Sequence, residues 1–204
     1  MKVCLQSVLV LVVLALPSSA GAVELVNPDG SRAEPYQTWA NRSESRRIPM
    51  PSGRLTIVNT DDACSLNVSG CAIVDTRTIE IDCGGEWDYT CRHTFFHELG
   101  HMFDDFHMND YGRATFLRRL RWSHAARWSV DESFVLAGSP SENFADFYAD
   151  IAVFRKWRRY DSAVILDRAG GPYSRSNKMN RRQFNQTYRL IRWAAKENPP
   201  ANQR

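Results

Sequence analysis

The chain has 204 residues, with 26 Lys or Arg against 23 Asp or Glu and a net charge of +3. Hydrophobic residues make up 43% and charged residues 24%, the balance of one globular domain with enough chain to bury a core. Six Trp, seven Tyr and ten Phe exclude a largely disordered chain, and so small a basic surplus, scattered along the sequence, excludes a dedicated nucleic-acid binder.

In chain order, residues 1–22 read as a secretory signal peptide. Lys2 is the positive head, Val8 to Leu16 the apolar stretch, and Ala20-Gly21-Ala22 a small-x-small cleavage site. The apolar stretch is short for a membrane span, so the expectation is an exported protein with no integral membrane segment after cleavage, and a monomer. Residues 23–53, rich in Pro, Ser, Asn and Arg without a sustained period, read as an extended N-terminal arm, followed by one domain over 54–198. Arg54 to Asn59 is strand-like, and Ala72 to Asp82 is one strand or a tight hairpin. Phe95, Phe96, Leu99, Met102, Phe103 and Phe106 recur at helical spacing and predict a helix from Tyr89 to about His107. Further helices are expected over Ala114 to Trp122, Glu142 to Tyr160 and Asn180 to Glu197. Ser139 or Ser141 would cap the second of these, with Pro140 in its first turn. A few strands followed mostly by helices predict an α+β fold: a small N-terminal sheet, then a key helix and a mainly helical C-terminal part.

Cys4 falls in the signal segment. The other four cysteines, Cys64, Cys71, Cys83 and Cys91, are an even set in an exported chain and favour two disulfides. Three pairings exist. Local pairing, Cys64 with Cys71 and Cys83 with Cys91, is expected because each pair brackets a short turn-like stretch. A cysteine zinc site lacks the C-x₂₋₄-C spacing.

The chemistry concentrates in His97-Glu98-Leu99-Gly100-His101, an HExxH match inside the periodic helix. Residues i and i+4 share a helix face, so two imidazoles can address one ion, and one Zn2+ is the cofactor this implies. Glu98 stands beside the open position, where it would act as general base on a metal-activated water. Three groups compete as third ligand. His107 would complete a pattern close to that of the metzincins, but Asp104 stands where that pattern has the turn-forming Gly. Glu142 opens a later helix, with Asp146 one turn on and able to accept a hydrogen bond from a ligating His. Asp131-Glu132 is a loop acid pair. The sequence favours Glu142. His93, one turn before His97, reads as structural.

HExxH followed about forty residues later by Glu-x-x-Ala-Asp resembles the gluzincin metallopeptidases. The match of His97 to Asp104 and of Ser139 to Ala149 is closer still to secreted bacterial zincins with a lethal-factor-like catalytic domain. This resemblance implies a zincin-like fold and a secreted zinc endopeptidase acting on a protein or peptide. His97, His101 and Glu142 would hold the metal, Asp146 would sit behind His97, and Glu98 would be catalytic. Tyr148, Tyr111 or His124 would stabilise the oxyanion, and the strand Thr76 to Asp82 would be the edge that pairs with an extended peptide. A non-catalytic exported zinc-binding domain is the rival reading. The export signal and expected disulfides argue against a deformylase, despite Ser69-Gly70-Cys71. Two basic clusters, Arg118-Arg119-Leu120-Arg121 and Arg155 to Arg159, read first as solvated helix faces and second as contacts to anionic polymers. Asn41, Asn67 and Asn185 fit N-x-[ST], which matters only in a eukaryotic secretory host.

Overall fold

The structure, a computed structural model, describes residues 23–65, 68–84, 88–120, 128, 139–154 and 180–198. The signal segment, His124, Asp131-Glu132 and the Arg155 to Arg159 cluster lie outside the described residues. Among the described residues, four short strands and five helices give a mixed, mainly helical α+β architecture. In chain order they are β1 (Val23–Val26), α1 (Tyr36–Glu44), β2 (Gly53–Asn59), β3 (Gly70–Ile73), β4 (Thr78–Ile81), α2 (Tyr89–His107), α3 (Asp110–Leu120), α4 (Pro140–Phe154) and α5 (Arg181–Glu197).

The sheet order is β1-β2-β4-β3. β1, β2 and β4 run parallel, and β3 returns antiparallel on β4 as the outer arm of a hairpin. Two expectations are corrected here. Residues 23–53 are not an extended arm: β1 registers along β2, and α1 packs behind it with Tyr36 and Ala40 fully buried. Gln37 is buried with them, accepting from the Leu25 N–H and donating to the Val23 carbonyl. The edge beside the hairpin is not Thr76 to Asp82 either. β4 is paired on both sides, and β3 is the edge strand.

One face of the sheet, through Leu25, Leu55, Ile57, Ile79 and Ile81, joins the aromatic face of α2 in a single core. Asp88 caps α2 by accepting from the Cys91 N–H. Ser139 does the same for α4 through the Glu142 N–H, with Pro140 at the first helical position. A reciprocal capping box between Asn180 and Gln183 opens α5, which covers α3 and α4 with Phe184, Leu190, Ile191 and Ala194. Both disulfides pair locally, Cys64 with Cys71 and Cys83 with Cys91. The second ties the end of β4 to the first turn of α2. The Cys64–Cys71 bridge anchors a loop to β3. No helix among the described residues is long and apolar enough to cross a membrane.

Candidate metal centre

α2 and α4 run antiparallel in the core, and small residues let them approach closely. A Cβ built on Gly100 would stand 2.9 Å from the Ala145 Cα and 3.2 Å from the Ala145 carbonyl oxygen. That proximity brings two rows of side chains together, each spaced by one helical turn. His93, His97 and His101 from α2 meet Asp150, Asp146 and Glu142 from α4.

His97, His101 and Glu142 form a group that can hold a metal ion. His97 Nε2 lies 3.1 Å from Glu142 Oε2 and 3.2 Å from His101 Nε2, and His101 Nε2 lies 3.2 Å from Glu142 Oε1. Behind them, His97 Nδ1 meets Asp146 Oδ1 at 2.8 Å. An ionised carboxylate only accepts, so Nδ1 carries the proton and donates it to Asp146. In the neutral tautomer this fixes, the Nε2 lone pair of His97 faces another imidazole nitrogen and a carboxylate. Both Nε2 atoms and the Glu142 carboxylate therefore crowd one point, where a proton shared with the carboxylate, or a cation in its place, satisfies them. The spacing also fits a cation. Ligand atoms around tetrahedral zinc, with bonds of about 2.0–2.1 Å, are separated by about 3.3–3.4 Å.

The protonation energetics have the same origin. Burial alone depresses the His97 pKa, but the Asp146 and Glu142 carboxylates on its two nitrogens reverse this and hold it well above the ordinary histidine range. Burial raises the Glu142 pKa, and hydrogen bonds from His101 and His97 outweigh it, leaving that carboxyl far below its usual range. Asp146 is also lowered: burial opposes ionisation and the His97 hydrogen bond overcomes it.

Glu98 lies next to this cluster and beside the edge strand. Its Oε1 would be 2.8 Å from a Cβ on Gly70 of β3, so the glycine leaves the carboxylate its present position against the strand. Glu98 is buried, and burial raises its pKa, reinforced by the charges of Glu142 and Asp146 and opposed by His97 and His101.

The remaining expected site residues stand elsewhere. His107 is not at the cluster. α2 continues through Asp104 to His107, and six residues of unbroken helix turn a side chain about 120° away from His101. Asp104 is itself engaged by Arg113 and by the Trp128 indole N–H, and His107 stacks on Phe103 with Nδ1 bonded to the Asn198 carbonyl. Tyr148 is fully buried and donates to the Pro49 carbonyl. Tyr111 packs edge-on against Trp193 on the α3–α5 side. His93 pairs with Asp150 at 3.4 Å. Sequence reasoning missed Gly70 and the His93–Asp150 pair. Gly70 carried no local signal, whereas the 93/97/101 and 142/146/150 spacings are both legible as turn-by-turn rows.

No family model, curated protein or solved structure matches the chain, so the site is read from its own geometry.

Proposed function

We propose that the protein is an exported zinc-dependent endopeptidase with a zincin-like catalytic domain. The observation that carries this reading is the convergence of His97, His101 and Glu142 on one point, with the buried carboxylate of Glu98 beside it. A site built only to hold a metal for stability has no need of that second carboxylate. Two disulfides fit an oxidising, extracellular setting.

His97, His101 and Glu142 would hold the ion, and Asp146 fixes the His97 tautomer that offers Nε2 to it. A zinc ion bound there supplies a Lewis acid that acidifies a water and polarises an amide carbonyl. Glu98, with its basicity raised by burial, takes the proton of the attacking water on a carboxylate oxygen. It then returns that proton to the departing amine, so that the C–N bond breaks to a carboxylic acid and an amine. β3 has its outer edge, unpaired among the described residues, next to Glu98 through Gly70, and an extended peptide would add to the sheet there by main-chain hydrogen bonds.

The test is Glu98→Gln. The variant is expected to retain one zinc per chain and a wild-type melting curve while hydrolysis of a random peptide library falls by at least about a hundredfold, the scale of a lost general base. Equal cleavage by both proteins, or none by the zinc-loaded wild type, defeats the endopeptidase reading and leaves a non-catalytic zinc-binding domain.

A further inference from the structure

The face made by α3 and α5 has a charge of its own. The two helices carry eight Arg or Lys and two acids, a surplus of six, while the whole chain has a surplus of only three. Between them lies a groove of about 750 Å³, whose walls include Tyr111, Arg118, Arg119, Asn180, Arg182 and Gln186. No acidic residue lines it among the described residues, and it shares no residue with the His97–His101–Glu142 cluster.

The donors in the groove are partly preset. Arg119 is held across it by a 2.6 Å bond from Nη1 to the Gln186 carbonyl. Arg118 donates to Thr115 Oγ1, and its guanidinium lies 5.9 Å from the ring centre of Tyr111, which is 62% exposed. Arg182 stands exposed at the start of α5. Among the described residues no carboxylate pairs with any of the three. α5 has no acid in its first turn to offset the positive end of its dipole. Its capping box satisfies the N–H groups of Asn180 and Gln183, and among the described residues those of Arg181 and Arg182 have no such cap. Burial depresses the Arg119 pKa, and the like charges of Arg118 and Arg189 add to this, a repulsion that a bound anion relieves.

Forked guanidinium donors together with the amides of a helix start are the donor set of phosphate recognition. The groove is too large for one phosphate ion, and among the described residues that line it the one aromatic ring, Tyr111, has the Arg118 guanidinium over its face rather than a free stacking surface for successive bases. We propose that the groove binds a flexible chain of phosphate groups, docking the protein to a phosphate-rich polymer independently of the metal centre.

The test is calorimetric titration of the full chain with linear polyphosphate, with inorganic phosphate and with polyglutamate as separate arms, at low and moderate salt. Polyphosphate is expected to bind most tightly, to weaken as salt screens the contacts, and to bind equally after treatment with a chelator. Arg118→Gln with Arg182→Gln is expected to reduce affinity by about tenfold or more, since two charge-assisted contacts are lost. Arg32→Gln with Arg54→Gln removes the same charge from exposed side chains on the β1–β2 side and is expected to change affinity by less than about threefold, the effect of net charge alone. Equal losses in the two double variants, equal affinity for polyglutamate, saturation by inorganic phosphate at the same concentration, or loss of binding on chelation would each overturn the proposal.

Discussion

Gly100 stands between the two histidines of the HExxH segment, and the close approach of α2 to α4 depends on it. A methyl at this position meets Ala145 Cα at 2.9 Å, the Ala145 carbonyl oxygen at 3.2 Å and Tyr148 Cβ at 3.2 Å. All three are backbone or first side-chain atoms, so no rotamer change clears them. Non-bonded carbons settle at about 3.5–4.0 Å, so α4 must retreat by roughly 0.6–1 Å. The His97–Asp146 bond of 2.8 Å and the His97–Glu142 contact of 3.1 Å would then stretch toward or past the limit for hydrogen bonding, and metal sites tolerate ligand shifts of only about 0.2 Å. In an unconstrained helix Gly→Ala gains about 1 kcal/mol, while overpacking a core costs about 1–3 kcal/mol. Gly100→Ala should therefore leave the metal-free protein no more stable, or up to about 2 kcal/mol less stable, and Gly100→Val should be worse. Zinc affinity should fall by at least the 10–100-fold typical of a disturbed ligand support. Urea unfolding in chelator and competition against a chromophoric chelator read the two effects separately. A Gly100→Ala protein that is about 1 kcal/mol more stable and binds zinc unchanged would refute the close-contact reasoning.

Other outcomes follow from the same contacts. Asp146→Asn should weaken zinc binding about 10–100-fold by releasing His97 Nδ1, whereas His107→Gln should leave bound metal unchanged by elemental analysis. His107 also sets a pH dependence. Burial lowers its pKa, and the hydrogen bond to the Asn198 carbonyl only partly opposes this. The folded value lies below the unfolded value of about 6.5, so this stabilisation is present above about pH 6.5 and is lost as pH falls through the folded pKa, by at most about 1.4 kcal/mol per pH unit. Denaturation of His107→Gln across that range should show a flatter slope than wild type, and equal slopes would contradict the assignment. Replacing both Cys83 and Cys91 by alanine opens a loop with a sequence separation of 8, which should cost about 2.5 kcal/mol from chain entropy, measurable as a lower urea midpoint.

What the sequence made legible was the chemistry whose partners repeat along a helix. The phenylalanines of α2 bury one face, the two histidines share another, and Glu142 with Asp146 occupies successive turns of α4. The disulfides were legible because each closes a short turn. β1 and α1 were not, for a physical reason. β1 is only four residues long and pairs as a parallel strand with nearly every position buried, so it shows no alternation. α1 buries Gln37 and Ser43, whose side chains bond to backbone carbonyls, so its inner face has no clean apolar period. The edge strand was misplaced because Ala72 to Asp82 contains two strands, and only the return of β3 decides which of them lies outside.

The choice among third ligands shows how a tertiary contact decides what spacing cannot. His107 and Glu142 offer equally suitable donor atoms. For His107 to fold back, α2 would have to end at Asp104, and the left-handed turn needed there is one that Asp adopts less readily than Gly. Instead Asp104 is buried against Arg113 and the Trp128 indole, and this anchors the helix through its last turn. Glu142 needs no break. Gly100 against Ala145 places its turn opposite the histidines, and a glutamate has the reach to bridge both Nε2 atoms from one side while the shorter Asp146 takes Nδ1 from the other. The length of each acid thus matches the nitrogen it serves, a relation that neither helix contains alone.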